Sequence, residues 1–475
     1  MNGNGDAYGT NIFEKEAKMA NYDVIVVGAG PGGTAAAKIA AEKKLKVLML
    51  ERARTPGDKN MSGSYLFRNV CEGIFPGFQK ADFHKGQCRI GGIDFRWIYD
   101  NDEKRYGMVA APGADAMRDM MMVYRNESDQ WLANEAVKAG AELKTALATD
   151  LIWENKDGEE PRVVGVVTDK GNFEAPVVID ASGLHSILAR RSGLVKWGPE
   201  KITLAIKYIY RLDGEVMRKR LAPYVDTDGV EVDWGAMPTM CGDDPAFWGS
   251  HCVGCPDRGI INVIIYHQLA AQIKARVNIH QRAQWYLQQT PVKQLLEGAE
   301  FIRCNFHCLN IGDTVGYAPK SYLPGYMMVG DAGGFGQPVE DFGANVAQIM
   351  GKLAAETAAE MKAKKDYSEA MFAQYEEKWH ETWILEDNVP ELNTLMIKGG
   401  FQKVVACADD AMSTLFKMRF NNYSFPSIAL AIAPKMLPAL PAIVGAVGSI
   451  KPIADVGMKK ASGLMAMFGM GQDDK

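Results

Sequence analysis

The patterned part of the chain begins with an unbroken apolar run. Residues 22–27, YDVIVV, are rich in β-branched side chains and do not alternate, which predicts a strand buried on both faces. GAGPGG follows, then TAAAKIAAEKK with helical character, then LKVLMLE, a second apolar run that ends in Glu51. VYRNESDQWLANEAVKAGAEL, 123–143, has amphipathic helical spacing. TLAIKYIYRL and GIINVIIYHQ instead suggest antiparallel strands with one packed face. YMMVGDAGGFGQPVEDFGANVAQIMGKLAAETAAE, 326–360, reads as strand, Gly-Asp turn, loop and long helix.

These patterns divide the chain. An α/β nucleotide-binding domain is expected from residues 21–80, 110–195 and 310–365, interrupted by a β-sheet lobe at 81–109 and 196–309. Residues 1–20 are polar and are expected to form a mobile tail; residues 366–475 are expected to be helical and then apolar.

The opening unit is strand, G-x-G-x-x-G turn, helix, strand, acid: the dinucleotide fingerprint in its full context. Gly28 permits the tight turn, Gly30 lets backbone amides approach a pyrophosphate, and Gly33 lets the helix pack close to the sheet. The helix start at Pro31 supplies positive potential to phosphates. Glu51, 23 residues after Gly28, is placed to accept hydrogen bonds from ribose hydroxyls, with Arg52 beside it.

Composition narrows the class. With 475 residues, 47% apolar and 23% charged, the chain has the material for two or three packed lobes. A net charge of −5 gives no reason to expect a nucleic-acid partner. Eight scattered cysteines fit reduced thiols in the cytoplasm rather than a disulfide scaffold. The polar start lacks the apolar core of a secretory signal, and no run reaches the roughly 18 apolar residues of a membrane span. The nearest, MLPALPAIVGAVGSI at 436–450, is broken by Pro438, Pro441, Gly445 and Gly448.

Two further motifs decide which dinucleotide. The 326–360 segment resembles the second FAD motif of the glutathione-reductase-like and hydroxylase-like flavoproteins. That resemblance implies that Asp331 of the Gly330-Asp331 pair binds the ribitol chain. The family's P-x-x-G-x-G-x-N run falls on Pro338, Gly343 and Asn345, with Asp341 where its first glycine stands. VVIDASGLHSILARRSGL, 177–194, resembles the middle motif of the same group, with Ser182-Gly183 in place of its Asp-Gly pair and Ser186 following. FAD is the implied cofactor, and Arg125, near the start of its predicted helix, is a candidate for the FAD phosphates as well as for a surface salt bridge.

ERARTPGDKNMSGSYLFRNVCEGIFPGF closely resembles the corresponding segment of FixC-like proteins, the bacterial relatives of electron-transfer flavoprotein:quinone oxidoreductase. VYRNESDQWLANEAVKAGA and YSEAMFAQYEEKWHETWILEDN match two more of their segments, so that the resemblance covers roughly residues 21–390. It implies that the loop carrying Lys59, Asn60 and Gly63 runs against the flavin ring, where Lys59 and nearby amides favour the reduced, anionic flavin; no side chain is required as a nucleophile. The implied partners are an electron-transfer flavoprotein, a ferredoxin-like iron–sulfur subunit of the FixX type and a membrane quinone. The geranylgeranyl reductases share this architecture but carry a Cys in the loop, where Met61 stands here. A reductase of isoprenoid double bonds and a non-catalytic electron-relay subunit remain the alternatives.

Cys252, Cys255, Cys304 and Cys308 offer four thiols that could hold a metal; the alternative is that the first two flank a turn at Pro256-Asp257-Arg258-Gly259. No resident metal is expected. His251, His267 and His307 lie in strand-like runs and read as buried, hydrogen-bonded histidines. The tail 424–467 mixes apolar residues with Lys435, Lys451, Lys459 and Lys460. It suits peripheral contact with the inner face of the cell membrane, or packing on the body.

Overall fold

The computed structural model describes residues 22–58, 64–82, 90–99, 102–108, 120–155, 160–185, 187–221, 234–241, 247–310, 320–336, 343–382 and 384. Its first sheet has six strands in the order β17 (Tyr322–Leu323), β18 (Tyr326–Met328), β11 (Val177–Asp180), β1 (Val24–Val27), β2 (Val47–Glu51) and β7 (Glu142–Thr145). All neighbours are parallel except the β17–β18 hairpin. Every residue of β1 is buried, which explains why its sequence is continuous rather than alternating.

One face of this sheet is covered by helices α1 (Pro31–Glu42), α2 (Arg125–Ala139), α5 (Gly343–Lys364) and α6 (Glu369–His380), with Val26, Met49, Val346, Phe372 and Trp379 in the shared core. The other face packs on an antiparallel sheet of β8 (Ala148–Glu154), β9 (Arg162–Thr168) and β10 (Gly171–Glu174) through Ile25, Leu48, Leu151, Val166 and Val178. A two-stranded pair, β3 (Ser64–Phe67) and β6 (Met120–Val123), joins this body to the second lobe. The registers Val27↔Leu50, Val27↔Asp180 and Asp180↔Met328 bring the strand ends level. The turns at Gly28, Arg52, Ala181 and Val329 therefore lie side by side, where ligands bind in open α/β sheets.

The second sheet runs β16 (Glu300–Leu309), β12 (Thr203–Arg211), β15 (Ile260–Gln268), β14 (Phe247–Cys255), β13 (Trp234–Cys241), β4 (Ile90–Tyr99), β5 (Asp102–Met108). β12 and β15 pair antiparallel as expected, and the sheet is antiparallel throughout except that β4 pairs with β13 in parallel. A bulge interrupts the β12–β16 register at Ile209/Tyr210. Helices α3 (Ile279–Leu287) and α4 (Thr290–Leu296) cover one face around Ile206, Tyr208, Val263, Ile265 and Tyr286. β15 is buried from Ile261 to Gln268, on both faces rather than one. Among the described residues, no helix is long and apolar enough to cross a membrane.

Candidate functional site

A cleft of about 490 Å³ opens between the level strand ends of the first sheet and the β12, β15 and β16 strands of the second. Gly28 closes β1 with φ +101°, and a Cβ there would lie 2.5 Å from the Ala181 carbonyl oxygen. A Cβ on Gly33 would overlap the Gly28 carbonyl, so the helix can sit this close to the turn only with glycine at that place. Gly30 caps α1 in an extended conformation, no side chain caps the helix amides, and Pro31 occupies the first turn. A side chain at Gly30 would meet only Arg125, at 3.9 Å, which leaves room for an anion over the helix start.

Glu51 ends β2 and is buried. Its Oε2 accepts from the Ala29 amide at 2.9 Å and its Oε1 from the Ala53 amide at 2.9 Å. These bonds fix the carboxylate at the cleft wall, and each oxygen keeps a lone pair for a hydroxyl. A smaller recess of about 50 Å³ adjoins it, walled by Val27, Leu50, Leu147 and Leu188, an apolar slot beside the Glu51 carboxylate. Arg52 lines both spaces and is exposed.

The turn after β11 forms the next stretch of wall. Asp180 is fully buried; its Oδ1 accepts from the Ser182 amide at 2.9 Å and its Oδ2 from the Tyr326 hydroxyl at 2.6 Å. Burial pushes its pKa up, opposed by those donors. Ser182 and Gly183 line the cleft, and the buried Ser182 hydroxyl has no partner among the described residues. Arg125 opens α2 and forks onto Asp129 at 2.8 and 2.9 Å while lining the cleft. It is thus both the salt-bridged residue and the one beside Gly30. Burial works against its charge, but Asp129 and then Asp331 outweigh it and hold the guanidinium above its ordinary value. Asp331 lies in the tight turn Gly330–Ala332, and Gly343 starts α5 on the same wall.

Gly28, Gly30, Pro31, Glu51, Arg52, Arg125, Ser182, Gly183, Asp331 and Gly343 thus line one cleft. Gly33 and Gly330 support it from behind. Asn345 does not reach it. Its buried Oδ1 accepts from the Phe67 amide at 2.9 Å and its Nδ2 donates to Gln348 at 3.0 Å, so it ties the end of β3 to α5. Lys59, Asn60, Gly63, Ser186, Pro338 and the tail 424–467 lie outside the described residues.

The far wall held residues that the sequence did not single out. Ala205, Lys207, Tyr266, Asn305 and Asn310 face the cleft, and so does His307. His307 is half-buried there, which corrects the expectation that it is a buried structural histidine; His267 fits that expectation, buried with Nδ1 3.1 Å from Gln272 Nε2, and the side chain of His251 lies outside the described residues. Alternation placed His307 on a strand but not on a face. Cys252 and Cys255 are buried on β14, and Cys304 and Cys308 exposed on β16. Two strands stand between the pairs, a separation of about 14 Å, so the four thiols do not converge. The turn predicted after Cys255 is present, with Gly259 at φ +61°.

An unpartnered hydroxyl, an uncapped helix start, an open place at Gly30 and an apolar recess beside Glu51 fit FAD along the first wall. The profile of the FAD dependent oxidoreductase family matches residues 23–246. The chain is 29% identical to Protein FixC of Azotobacter vinelandii over 378 residues, 77% of this chain and 82% of that one. It is 26% identical to the probable electron transfer flavoprotein-quinone oxidoreductase YdiS of Escherichia coli over 381 residues, 77% of this chain and 83% of that one. In fold it resembles a geranylgeranyl bacteriochlorophyll reductase-like protein of Thermoplasma acidophilum, with TM-score 0.66 and 22% identity over 91% of this chain and 98% of that one. The fingerprint, the cleft and these relatives together identify the chain as an FAD-dependent oxidoreductase of FixC-like sequence.

Proposed function

We propose that the protein takes electrons from an electron-transfer flavoprotein, directly or through a ferredoxin-like iron–sulfur subunit, and passes them to a membrane quinone. The observation that carries this reading is the composition of the far wall. Lys207, Tyr266 and His307 surround the small Ala205, which pairs with Tyr266 on one side and His307 on the other. A flat acceptor can lie over Ala205 with proton-bearing side chains at its rim. A quinone is such an acceptor: two electrons from the reduced cofactor and two protons turn its carbonyls into hydroxyls. FAD supplies the electron chemistry when bound; the chain's residues orient the acceptor and hold protons at its oxygens. The similarity to YdiS, a probable electron transfer flavoprotein-quinone oxidoreductase, supports the same reading.

The tail 424–467 is assigned the role of resting on the inner membrane face, where a lipid-soluble quinone is met. The domain boundaries given above follow the same plan: residues 21–80, 110–195 and 310–365 hold the cofactor, and the inserted lobe presents the acceptor wall.

The test is an anaerobic titration of the flavin-bound protein with reduced electron-transfer flavoprotein, followed by a short-chain quinone. Bleaching of the flavin bands and their rapid return on quinone addition are expected. Reduction without quinone-dependent return, but with return on adding a prenyl alkene, would replace this reading by isoprenoid reduction. Floating the full chain with anionic vesicles tests the tail, and a protein that stays at the bottom of the gradient removes the membrane role.

A further inference from the structure

Asn310 follows the last residue of β16 and lines the cleft. It is 2% exposed, yet neither its Oδ1 nor its Nδ2 has a hydrogen-bond partner among the described residues. A buried carboxamide left without partners is costly, and native interiors rarely tolerate it. Asn345 shows the ordinary solution, with donor and acceptor both used. Asn310 Oδ1 lies close against Gly336, where a Cβ would overlap it.

Its position indicates what it awaits. The recess beside Glu51 takes the adenosine end of FAD, Gly28 and Gly30 the pyrophosphate, and Asp331 the ribitol chain. Asn310, Gly336 and Gly343 line the main cleft together with Asp331 and are absent from the lining of that recess. What remains of FAD for them is the ring. The pyrimidine end of the ring is an imide, an N–H between two carbonyls. A carboxamide presents one acceptor and one donor side by side, and pairs with such an edge through two parallel hydrogen bonds. We infer that Asn310 recognises the imide edge of the flavin ring, with Oδ1 accepting from the ring N–H and Nδ2 donating to an adjacent carbonyl. Asn310 is thereby a determinant of flavin binding and of flavin potential, supplied by the inserted lobe rather than by the nucleotide-binding fingerprint.

The full-length apoprotein is titrated with FAD, followed by flavin fluorescence, and separately with ADP by calorimetry. Asn310→Leu keeps the branched shape and removes both polar atoms. It is expected to weaken FAD roughly tenfold or more and to leave ADP unchanged, since ADP has no ring. Asn310→Asp places a negative charge beside a ring that gains electrons, and is expected to lower the flavin midpoint potential. Unchanged FAD affinity in the Leu variant, or equal weakening of FAD and ADP, overturns the inference. A second measurement does not depend on how the variants fold. The unaltered protein is expected to bind N3-methyl-FAD, which lacks the ring N–H, roughly tenfold more weakly than FAD; equal affinity for the two overturns the inference as well.

Discussion

The two walls of the cleft are built on different physical plans. The nucleotide-binding wall is mainly backbone: level ends of parallel strands, an uncapped helix start, and glycines whose missing side chains are the point. The opposite wall is a sheet face, and its character comes from side chains at alternate positions. Ala205 makes it flat, and Lys207, Tyr266 and His307 make it protic. Backbone geometry tolerates little change and defines the cofactor. A sheet face can be rewritten residue by residue with its ladder intact, and so it defines what approaches the cofactor. The same lesson accommodates a fold neighbour named for a different reductase at 22% identity.

The largest effect is expected where the first wall is broken. Gly28→Ala puts a Cβ at 2.5 Å from the Ala181 carbonyl at φ +101°. It should cost roughly 3 kcal/mol and abolish flavin retention. The ratio of flavin to protein absorbance after purification reads this directly, and a yellow variant of normal stoichiometry would break the contrast. Changes on the second wall should do the opposite. Lys207→Met and His307→Gln should keep flavin stoichiometry and reduction by donor, while quinone-dependent reoxidation slows about 10- to 100-fold. If the flavin is lost instead, the second wall is part of the cofactor frame and the division fails.

Legibility in the sequence follows the same division. The first wall was readable because its signals are local: β1, the glycine turn, α1 and Glu51 lie within 30 residues and each has one physical reason to be there. The strands of the second wall were readable as segments, β12 and β15 in particular. Their neighbours were not, because pairing β16 with β12 and β4 with β13 joins residues far apart in sequence. Alternation identifies two faces without saying which is core and which is cleft, which is how His307 was placed in the interior. Asn310 gave no signal at all, since an Asn at a strand end reads as a turn former. Asn345 is the converse case: the resemblance gave its position in α5, and its side chain bonds the Phe67 amide and Gln348.

A smaller effect should follow from Asp180, which underpins the Ser182 turn of the first wall. Its folded-state pKa is raised above the ordinary 3.8 by burial. The folded protein therefore binds more protons than the unfolded chain above pH 3.8, and stability falls as pH rises from there toward the raised value. The slope from this one group is at most about 1.4 kcal/mol per pH unit. Asp180→Asn retains an acceptor for the Ser182 amide and cannot ionise. Thermal unfolding across that window should lose this component of its pH slope in the variant. An unaltered slope would mean that the hydrogen-bond donors around Asp180, not burial, govern it.

The smallest effect concerns the joint between the walls. Arg258, in the turn after β14, reaches across to Glu127 in the first turn of α2 with paired bonds of 2.5 and 2.8 Å, and stacks 4.7 Å over Tyr124. Glu127 lies two residues from Arg125, so the second lobe grips the helix that presents a guanidinium to the cleft. Both partners are partly exposed, and the pair should contribute only about 1 kcal/mol to stability. Arg258→Ala should therefore leave the melting temperature nearly unchanged. If the joint sets the distance between the walls, the same substitution should slow quinone-dependent reoxidation several-fold while Arg258→Lys, which keeps the charge but not the fork, restores it only in part. Equal rates in all three proteins would mean that the walls are held together by the shared strands β3 and β6 and by packing alone, and that the ion pair merely decorates a joint already closed.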